Sequence, residues 1–312
     1  MFVLVSFFIS SSWFAVRIMS PLLEVKNLVK KYKTVDAVDG ISFSISHGTC
    51  FGLLGPNGAG KTTALEVIED IIPPTGGEVL YNGALRAVSF REEVGIQFQQ
   101  TSLLHFMTVR ETLETFRKLY REPESIEHLI EICRLRDIQN QMNDKISGGQ
   151  AQRLMLALAL INKPRLIFLD EPSTGLDPQA RRYLWEIIQG IKKDGKTIVL
   201  TTHSMDEAEY LCDEIAIMDH GKIIAQGAPP DLIEKYCEGG IISLPRSNVQ
   251  GYLDGLPYAY REVDGRLEIM PDKIDTGIET LLAMRIDLAG MTMHSPNLED
   301  VFLSLTGRTL RD

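Results

Sequence analysis

The sequence has few cysteines and no excess of basic charge, and each shortage excludes a class of protein. Its four cysteines are Cys50, Cys133, Cys212 and Cys237, with no C-x-x-C pair. We therefore expect a reducing compartment, with neither a disulfide framework nor a zinc site. Lysine and arginine number 32 against 42 aspartates and glutamates, a formal net charge of −10. This balance argues against a nucleic-acid partner, which normally requires a basic face.

Long apolar runs are missing beyond the N-terminus, and no internal repeat or low-complexity stretch is visible. Residues 1–19 are strongly apolar, but they lack a basic start and are interrupted by Ser10, Ser11 and Ser12. The run is also short for a membrane span. Segment 1–20 is thus either a mis-assigned start, with translation from Met19, or a membrane-associated leader, and we favour the first. Because no other stretch could span a bilayer, work at a membrane would need a partner that supplies the channel.

The 312 residues, 44% apolar and 24% charged, suit one large globular domain and a smaller one. Apolar patterns predict strands at 22–29, 41–46, 50–54, 77–81, 166–169 and 197–200. A helix near 181–193 joins the last two strands into a βαβ unit with parallel strands. A helix is also predicted at 62–70. Residues 101–163 are predicted to be helical, with a capping box at Thr108–Glu111 and an amphipathic stretch at 125–135.

The pattern changes near residue 240. Short strands are predicted at 241–244, 258–263, 267–270 and 291–294, and helices at 249–253, 274–288 and 297–305. This β-α-β-β-α-β order predicts a small ferredoxin-like α+β module. We therefore expect a large α/β domain at 21–238, with a helical subdomain at about 101–163, and a small C-terminal domain at 239–312.

A glycine-rich run between a predicted strand and a predicted helix matches the phosphate-binding P-loop, G-x-x-x-x-G-K-T. Its backbone N–H groups are expected to surround phosphate oxygens, with help from the helix N-terminus. Lys61 is expected to reach the β- and γ-phosphates, and Thr62 to place its hydroxyl on Mg²⁺. A glycine-rich turn of no function is the weaker alternative. The predicted cradle consists of Gly55, Pro56, Asn57, Gly58, Ala59, Gly60, Lys61, Thr62 and Thr63.

An apolar run that ends in two carboxylates, Asp170 and Glu171, follows later in the chain. This is the Walker B arrangement, in which Asp170 is expected to hold Mg²⁺ through water. Glu171 is placed to polarise the attacking water. A strand end with solvated acids is the alternative, and the P-loop upstream favours the functional interpretation.

A second anion-binding element is predicted at Ser147, Gly148, Gly149 and Gln150, hereafter the Ser147 motif. A serine N-cap followed by two glycines exposes backbone N–H groups at a helix start. An ordinary capped helix is the alternative, but the position between the P-loop and the paired carboxylates favours function. One nucleotide cannot easily contact both helix starts from one chain. We therefore predict a head-to-tail dimer in which the Ser147 motif meets the γ-phosphate of ATP held by a second copy.

Together with Leu169-Asp-Glu-Pro-Ser-Thr-Gly-Leu-Asp177 and Thr201-Thr-His203, these motifs resemble the ATP-binding cassette ATPase family over about residues 22–226. The resemblance implies a P-loop NTPase fold with a parallel core sheet, an antiparallel β subdomain and a helical subdomain. It implies ATP hydrolysis with Mg²⁺, in which Lys61, Glu171 and His203 form the catalytic set. Ile146 in place of leucine and Ala151 in place of a basic residue depart from the family pattern.

The resemblance also assigns roles to residues that the patterns alone do not. It implies that Tyr32 stacks on adenine, that Gln99 contacts Mg²⁺ and senses a membrane partner, and that Asp177 links the dimer halves. His203 is expected to contact the γ-phosphate. The alternatives are a plain surface aromatic at Tyr32 and a structural histidine at His203. Gln97 and Gln100 lie on either side of Gln99, so the role of Gln99 depends on the register of the motif.

The C-terminal run Ser295-Pro-Asn-Leu-Glu-Asp-Val-Phe302, with Leu305-Thr-Gly307, is similar to the tail of drug-resistance-type export ATPases, the daunorubicin-exporter group. The run Asp219-His-Gly-Lys-Ile-Ile-Ala-Gln-Gly227 also fits that group. This implies an ATPase subunit, peripheral on the cytoplasmic face of the membrane. It would power export of a drug-like, lipid or other substrate through a separate multi-span permease. One alternative is a cassette ATPase acting on ribosomes or DNA, disfavoured by the single cassette. The other is a non-catalytic regulatory subunit, disfavoured by the complete catalytic set.

Overall fold

A computed structural model describes residues 20–99, 103–237 and 239–306 of the chain. The expectation for the apolar N-terminus, residues 1–19, and Gly307 of the tail lie outside the described residues. The strands are β1 (Leu23–Lys31), β2 (Asp36–Ile45), β3 (Cys50–Leu54), β4 (Gly76–Tyr81), β5 (Ala84–Leu85), β6 (Val94–Gln97), β7 (Leu166–Asp170), β8 (Thr197–Thr202), β9 (Glu214–Asp219), β10 (Lys222–Gly227), β11 (Ile241–Pro245), β12 (Ala259–Val263), β13 (Arg266–Met270) and β14 (Thr292–His294).

The helices surround three sheets. They are α1 (Lys61–Ile68), α2 (Phe90–Glu93), α3 (Val109–Arg117), α4 (Ile126–Ile132), α5 (Gly148–Ala159), α6 (Pro178–Lys193), α7 (Met205–Leu211), α8 (Pro229–Tyr236), α9 (Arg246–Val249), α10 (Ile274–Ala283) and α11 (Leu298–Thr306). Short 3-10 turns occur at Arg136–Ile138 and Leu253–Gly255. Nowhere in the described ranges does a helix combine the length and the apolarity that crossing a membrane requires.

The central sheet has the order β10-β9-β3-β8-β7-β6 and is parallel except for the antiparallel pair β9–β10. Its inner strands β3, β7 and β8 are buried along their whole length. The continuous apolar runs predicted as parallel strands are thereby confirmed. The carboxyl ends of parallel strands meet at one edge of a sheet, which is the usual place for a ligand site. The P-loop, the paired carboxylates and His203 follow β3, β7 and β8 at this edge.

Each face of the central sheet has its own apolar core. Phe51 and Leu53 of β3 face a core shared with α1 and with the antiparallel sheet β2-β1-β4-β5. In that core the rings of Phe43 and Phe51 stack with centroids 4.7 Å apart. Cys50 and Leu54 face the opposite core, which the α3–α8 helices cover. The alternation along β3 places α1, and with it the loop before α1, on one face of the sheet.

The segment from residue 103 to 163 is mainly helical, as predicted, and contains α3, α4 and α5. The predicted capping box is confirmed, since the Glu111 N–H donates to Thr108 Oγ1 (3.2 Å) and the Thr108 N–H to Glu111 Oε2 (2.8 Å). Helix α4 ends at Ile132, earlier than the predicted stretch, and Arg134 follows with a left-handed φ of 52°. A left-handed residue terminates a helix.

The C-terminal sheet is antiparallel, with the order β12-β13-β11-β14. The element order β11-α9-β12-β13-α10-β14 is the β-α-β-β-α-β order expected from the sequence. The helix predicted at 249–253 was misplaced: α9 ends at Val249, and Gly251 lies in a turn. Glycine disfavours a continuing helix. The helix predicted at 274–288 ends at Ala283, because Arg285 adopts a left-handed φ of 59°.

Helix α11 packs against α7 and α8, and its Asp300 also accepts a hydrogen bond from Arg261 of β12 in the small sheet. Its apolar residues Leu298, Val301 and Phe302 are buried in the core of the large α/β unit. The backbone N–H of Leu298 also donates to Glu209 Oε1 on α7 (2.6 Å). The tail that resembles drug exporters is therefore fastened to the element that follows His203. The predicted division of the chain at 238/239 stays a prediction.

Candidate active site

The glycine-rich loop after β3 makes contacts that only glycine permits. Gly60 has a φ of 100°, and a Cβ there would lie 2.1 Å from the carbonyl oxygen of Ala37. A Cβ at Gly55 would lie 2.2 Å from the carbonyl oxygen of Met218. The loop therefore packs between the start of β2 and the end of β9, and it leads directly into α1. The first N–H groups of α1 have no partner within the helix, which suits them to an anion.

Lys61 is buried, with 5% of its surface exposed, although it carries a charge. Its Nζ donates to the carbonyl oxygens of Gly55 (2.7 Å) and Pro56 (3.1 Å) of its own loop. Burial lowers the pKa of the Lys61 ammonium, and the nearby carboxylates of Glu171 and Asp170 oppose that shift. The ammonium therefore lies between the loop and the paired acids, where a phosphate bound to the loop would meet it.

A cavity of about 360 Å³ opens over the loop, hereafter the site cavity. That volume falls in the range of small-molecule sites. Six of the nine residues of the predicted cradle line it, together with Gln99 and Glu171. Its walls are Val35, Asp36, Ala37, Asn57, Gly58, Gly60, Lys61, Thr62, Thr63, Gln99, Glu171, His220 and Gly221. His220 and Gly221, to which the sequence analysis gave no site role, come from the β9–β10 turn.

Asp170 and Glu171 at the end of β7 are 7% and 8% exposed. Asp170 Oδ1 accepts a hydrogen bond from Thr201 Oγ1 on the neighbouring strand β8 (2.5 Å). Burial raises the pKa of Asp170; the Thr201 hydrogen bond and Lys61 oppose the rise, and Glu171 adds to it. Glu171 has a left-handed φ of 47°, and its N–H donates to Thr201 Oγ1 (3.1 Å) and to the Thr201 carbonyl oxygen (3.1 Å). Glu171 thus has a strained backbone conformation at the point where its side chain lines the site cavity.

Three polar side chains lie close to one oxygen of the Glu171 carboxylate. Glu171 Oε2 accepts from Gln99 Nε2 (3.1 Å) and Thr174 Oγ1 (3.0 Å), and His203 Nδ1 lies 3.3 Å away. The structure thereby brings together Gln99, Glu171 and His203, which the family resemblance alone linked. Sequence reasoning missed Thr174 and Thr201, although both stand inside the quoted motifs. Their presence in those motifs was the available signal.

The donor set fits Mg²⁺, which prefers oxygen ligands and retains several waters. Thr62 offers a hydroxyl, Gln99 a side-chain carbonyl and Asp170 a carboxylate. Two buried acids face one buried ammonium here, so a further cation would offset the remaining negative charge. Within the described ranges, no group of three or more acidic, histidine or cysteine side chains could hold a metal by itself. Phosphate oxygens and water would complete the coordination of Mg²⁺ at this site.

The Ser147 motif lies outside the site cavity, at the start of α5. The Ser147 N–H donates to Gln150 Oε1 (2.8 Å) and the Gln150 N–H to Ser147 Oγ (3.4 Å), so the expected N-cap is present. Ser147 and Gly148 are exposed. Asp177 caps the neighbouring helix α6 through the Gln179 and Ala180 N–H groups (3.0 and 2.9 Å). The structure thus separates the Ser147 motif and Asp177 from the cavity of the same chain.

Tyr32 lies in the turn between β1 and β2 and is 50% exposed. Its N–H donates to the carbonyl oxygen of Val35 (2.8 Å), and Lys30 Nζ lies 5.3 Å from its ring centroid. Val35, and not Tyr32, lines the site cavity. The stacking role of Tyr32 stays a prediction.

Glu69, at the end of α1, is a buried carboxylate outside the site cavity, with 4% of its surface exposed. Among the described residues, its Oε1 has no hydrogen-bond partner. Burial raises the pKa of Glu69 from 4.5 to about 8, and the charges of Asp170 and Glu66 add to the rise. The folded state therefore binds this proton more tightly than the unfolded chain does.

Stability is expected to fall with rising pH through this one group. The contribution of Glu69 is fully present below pH 4.5 and is lost as the pH rises towards 8. The variant Glu69→Gln keeps a neutral side chain, so its melting temperature relative to that of the wild type should rise between about pH 4.5 and pH 8 and stay at a constant margin above pH 8. Thermal denaturation of both proteins across this range measures the margin. A margin that does not change with pH would contradict the assignment.

Comparisons with known proteins agree with this geometry. The family described as ABC transporter matches residues 38–174. The Nod factor export ATP-binding protein I of Sinorhizobium fredii is 39% identical over 300 residues, which cover 93% of this chain and 87% of that protein. The protein of the same name from Ralstonia nicotianae is 38% identical over 319 residues, covering 94% of this chain and 96% of that protein.

Solved structures of cassettes match as well. The ATP-binding subunit of an ABC transporter is 29% identical, with a TM-score of 0.61, and the match covers 69% of this chain and 93% of that one. A dimeric cassette in a post-hydrolysis state, bound to ADP and Pi, is 27% identical with a TM-score of 0.58, covering 66% of this chain and 98% of that one. The predicted fold and the predicted use of ATP with Mg²⁺ are confirmed. By its motifs, its fold and its relatives, this chain belongs to the ABC transporter family, as an ATP-binding, ATP-hydrolysing subunit of the export type.

Proposed function

We propose that two copies of this chain enclose two ATP molecules head to tail, and that their closing and opening drives a separate membrane permease. The observation that carries the proposal is the separation of two anion-binding helix starts. One, at Lys61 and Thr62, opens into the site cavity. The other, at Ser147 and Gly148, is exposed and lies outside that cavity. A second copy supplies the missing half of each site.

Within one site, Glu171 is the group that accepts the proton of the attacking water. Its carboxylate is buried beside the cavity and held by Gln99 and Thr174. Lys61 and His203 stabilise the negative charge that develops on the γ-phosphate during in-line attack. Asp170 and Thr62 hold Mg²⁺, which supplies charge neutralisation at the phosphates when bound.

Head-to-tail pairing explains the placement of the Ser147 motif. Its exposed N–H groups face outward beside Asp177, which caps the adjacent helix. In the pair, both groups meet the nucleotide and the loop of the other copy. Cassettes of this family dimerise, and the similar post-hydrolysis structure is itself a dimer. Loss of the γ-phosphate removes a bridge between the copies and opens the pair.

The surface around Gln99 is suited to an apolar membrane partner. Phe98, Leu104 and Phe106 are 47%, 45% and 93% exposed, within seven residues of Gln99 in the sequence. Exposed apolar groups in close succession mark protein interaction sites. We assign this surface as the binding site for the permease. A movement of Gln99 would then be transmitted through this contact to the channel. The subunit then sits on the cytoplasmic face of the membrane, held there by the permease.

Phe106→Asp is expected to release the chain from membranes of its native host, because an aspartate cannot enter an apolar contact without a large desolvation cost. Leu85→Asp is the matched control, since Leu85 is 66% exposed on the edge strand β5 of the other sheet. The membrane-bound fraction of each variant is compared by sedimentation, and ATP hydrolysis of the purified chains should remain equal. An unchanged bound fraction for Phe106→Asp, or association with ribosomes instead of membranes, would contradict the assignment.

Export is the direction that the relatives support, because two of them bear the name Nod factor export ATP-binding protein I. We propose a drug-like, lipid or related cargo. The permease selects that cargo, because the site cavity of this chain is assigned to the nucleotide.

A further inference from the structure

Strand β6 and helix α5 are joined along their length, and the two ends of α5 are held differently. At the C-terminal end, Asn162 Nδ2 donates to the carbonyl oxygen of Val94 (2.7 Å). Next to it, Gly95 approaches Ala159 so closely that a Cβ would lie 1.9 Å from the Ala159 carbonyl oxygen. This end of α5 is therefore fixed to β6.

A hydrogen bond between a buried and a partly buried glutamine ties the N-terminal half of α5 to β6. Gln97, the last residue of β6 and 1% exposed, donates through Nε2 to Gln152 Oε1 (2.6 Å). Within the described part of the chain, the other amide atom of Gln97, Oε1, has no hydrogen-bond partner. Among the described residues, Gln152 is therefore the hydrogen-bond partner that orients this buried amide. Breaking this hydrogen bond is costly on the Gln97 side, because the buried Gln97 amide cannot turn to water.

The same hydrogen bond stands between the two half-sites of the chain. Gln97 precedes Gln99 by two residues, and the Gln99 amide donates to the catalytic carboxylate of Glu171 (3.1 Å). On the other side, Gln152 lies one and a half turns, about 7.5 Å along the helix, from Ser147. A continuous path of covalent and hydrogen bonds thus joins the site cavity to the Ser147 motif.

We propose that Gln97 and Gln152 are positioning residues, whose hydrogen bond makes the place of the Ser147 motif depend on the nucleotide in the chain's own cavity. This rests on the head-to-tail dimer proposed above, in which the Ser147 motif serves the other copy's ATP. Nucleotide binding in one site then positions the Ser147 motif for the other site. The coupling acts within each chain and does not require contact between the two nucleotides.

The geometry gives a physical reason for the coupling. Gln99 now directs its amide nitrogen at Glu171, so binding Mg²⁺ through its oxygen requires the side chain to turn. That turn displaces the end of β6, and Gln97 carries Gln152 with it. Since α5 is fixed at Ala159, Ser147 lies about 18 Å from the pivot and Gln152 about 10 Å, so a shift at Gln152 is enlarged at Ser147. Without the hydrogen bond, this half of α5 retains packing contacts such as Gly149 against Ala180.

The test uses the full chain with Gln97→Leu, Gln152→Leu and the double variant. Gln139→Leu is the matched control, because Gln139 accepts from Arg110 Nη2 (2.7 Å) within the same helical segment without touching β6. ATP hydrolysis is measured against ATP concentration, and binding of a fluorescent ATP analogue is measured with dilute single chains. We expect each Leu variant to lower kcat about threefold to tenfold, the effect of one hydrogen bond, and to bring the Hill coefficient towards one. The double variant should lose no more than either single variant, since both break the same bond.

Binding of the analogue to single chains should be unchanged in all variants, which separates positioning from damage to the cavity. A Hill coefficient equal to that of the wild type, or additive losses in the double variant, would overturn the proposal. Equal losses in Gln139→Leu would show a general weakening of the helical segment and overturn it too. ATP-dependent pairing is checked separately in the Glu171→Gln background. Absence of pairing there would refute the proposed dimer itself, whereas pairing with unaltered cooperativity in the Leu variants refutes only the coupling.

Discussion

Glu171→Gln is expected to leave ATP bound and to slow its hydrolysis by roughly 10²- to 10⁴-fold, the range for loss of a positioned proton acceptor. Glu171 is 8% exposed, and its Oε2 accepts hydrogen bonds from Gln99 and Thr174 and lies 3.3 Å from His203 Nδ1. Glutamine has the same shape and retains the contacts to the backbone of Thr201. It cannot take a proton from water. The defect should therefore appear in kcat, and affinity for ATP should be preserved.

Glu69→Gln is the matched control, since it makes the same chemical change at a carboxylate of similar burial that lies outside the site cavity. It should hydrolyse ATP at nearly the wild-type rate. Steady-state phosphate release and equilibrium ATP binding measure the two effects for both variants. Turnover near the wild-type rate in Glu171→Gln, or an equal loss in Glu69→Gln, would remove Glu171 from the role of proton acceptor.

Lys61→Ala is expected to weaken ATP binding by about tenfold to a hundredfold, because a charge-assisted hydrogen bond to phosphate contributes about 1.5–3 kcal/mol. The Lys61 ammonium is nearly enclosed, donates to the carbonyl oxygens of Gly55 and Pro56, and lies near the carboxylates of Glu171 and Asp170. Its removal also leaves the paired carboxylates without their cation, which adds repulsion against the phosphates. Binding and hydrolysis should therefore both fall.

Lys196→Ala is the control for this change. Lys196 is also a partly buried lysine with a pKa lowered by burial, and its Nζ donates to the carbonyl oxygen of Pro164 (2.8 Å), away from the site cavity. Calorimetric titration with ATP and Mg²⁺ compares the two variants. If Lys61→Ala bound ATP as tightly as Lys196→Ala does, the loop would not be the phosphate cradle.

Local patterns were sufficient to predict the parts of the fold that depend on neighbouring residues. The continuous apolar runs before Gly55 and Asp170 predicted buried parallel strands, and a short capping motif predicted the start of α3. The predicted helix boundaries were wrong where a single residue with a left-handed φ lies at the helix end. Helix α1 ends at Ile68, short of the predicted residue 70, and Asp70 adopts a left-handed φ of 67°.

Contacts between distant residues could not be predicted in this way. The hydrogen bond between Gln97 and Gln152 joins residues that are 55 positions apart. Its existence depends on how α5 lies on β6. The packing of α11 on α7 and α8 is of the same kind, since its apolar face alone does not say which surface it covers. For the site, the motifs predicted the main groups, while Thr174 and Thr201 gained their importance from the folded backbone around Glu171.

The central claim is that each ATP site is completed by the Ser147 motif of a second copy. Light scattering of Glu171→Gln, with and without ATP and Mg²⁺, tests it most directly when Ser147→Arg is added to the same chain. We predict the mass of two chains with nucleotide and of one chain without it. With Ser147→Arg the mass should stay at one chain although ATP still binds, because the motif lies outside the chain's own cavity. One chain with ATP bound in Glu171→Gln, or pairing that ignores Ser147→Arg, would contradict the account.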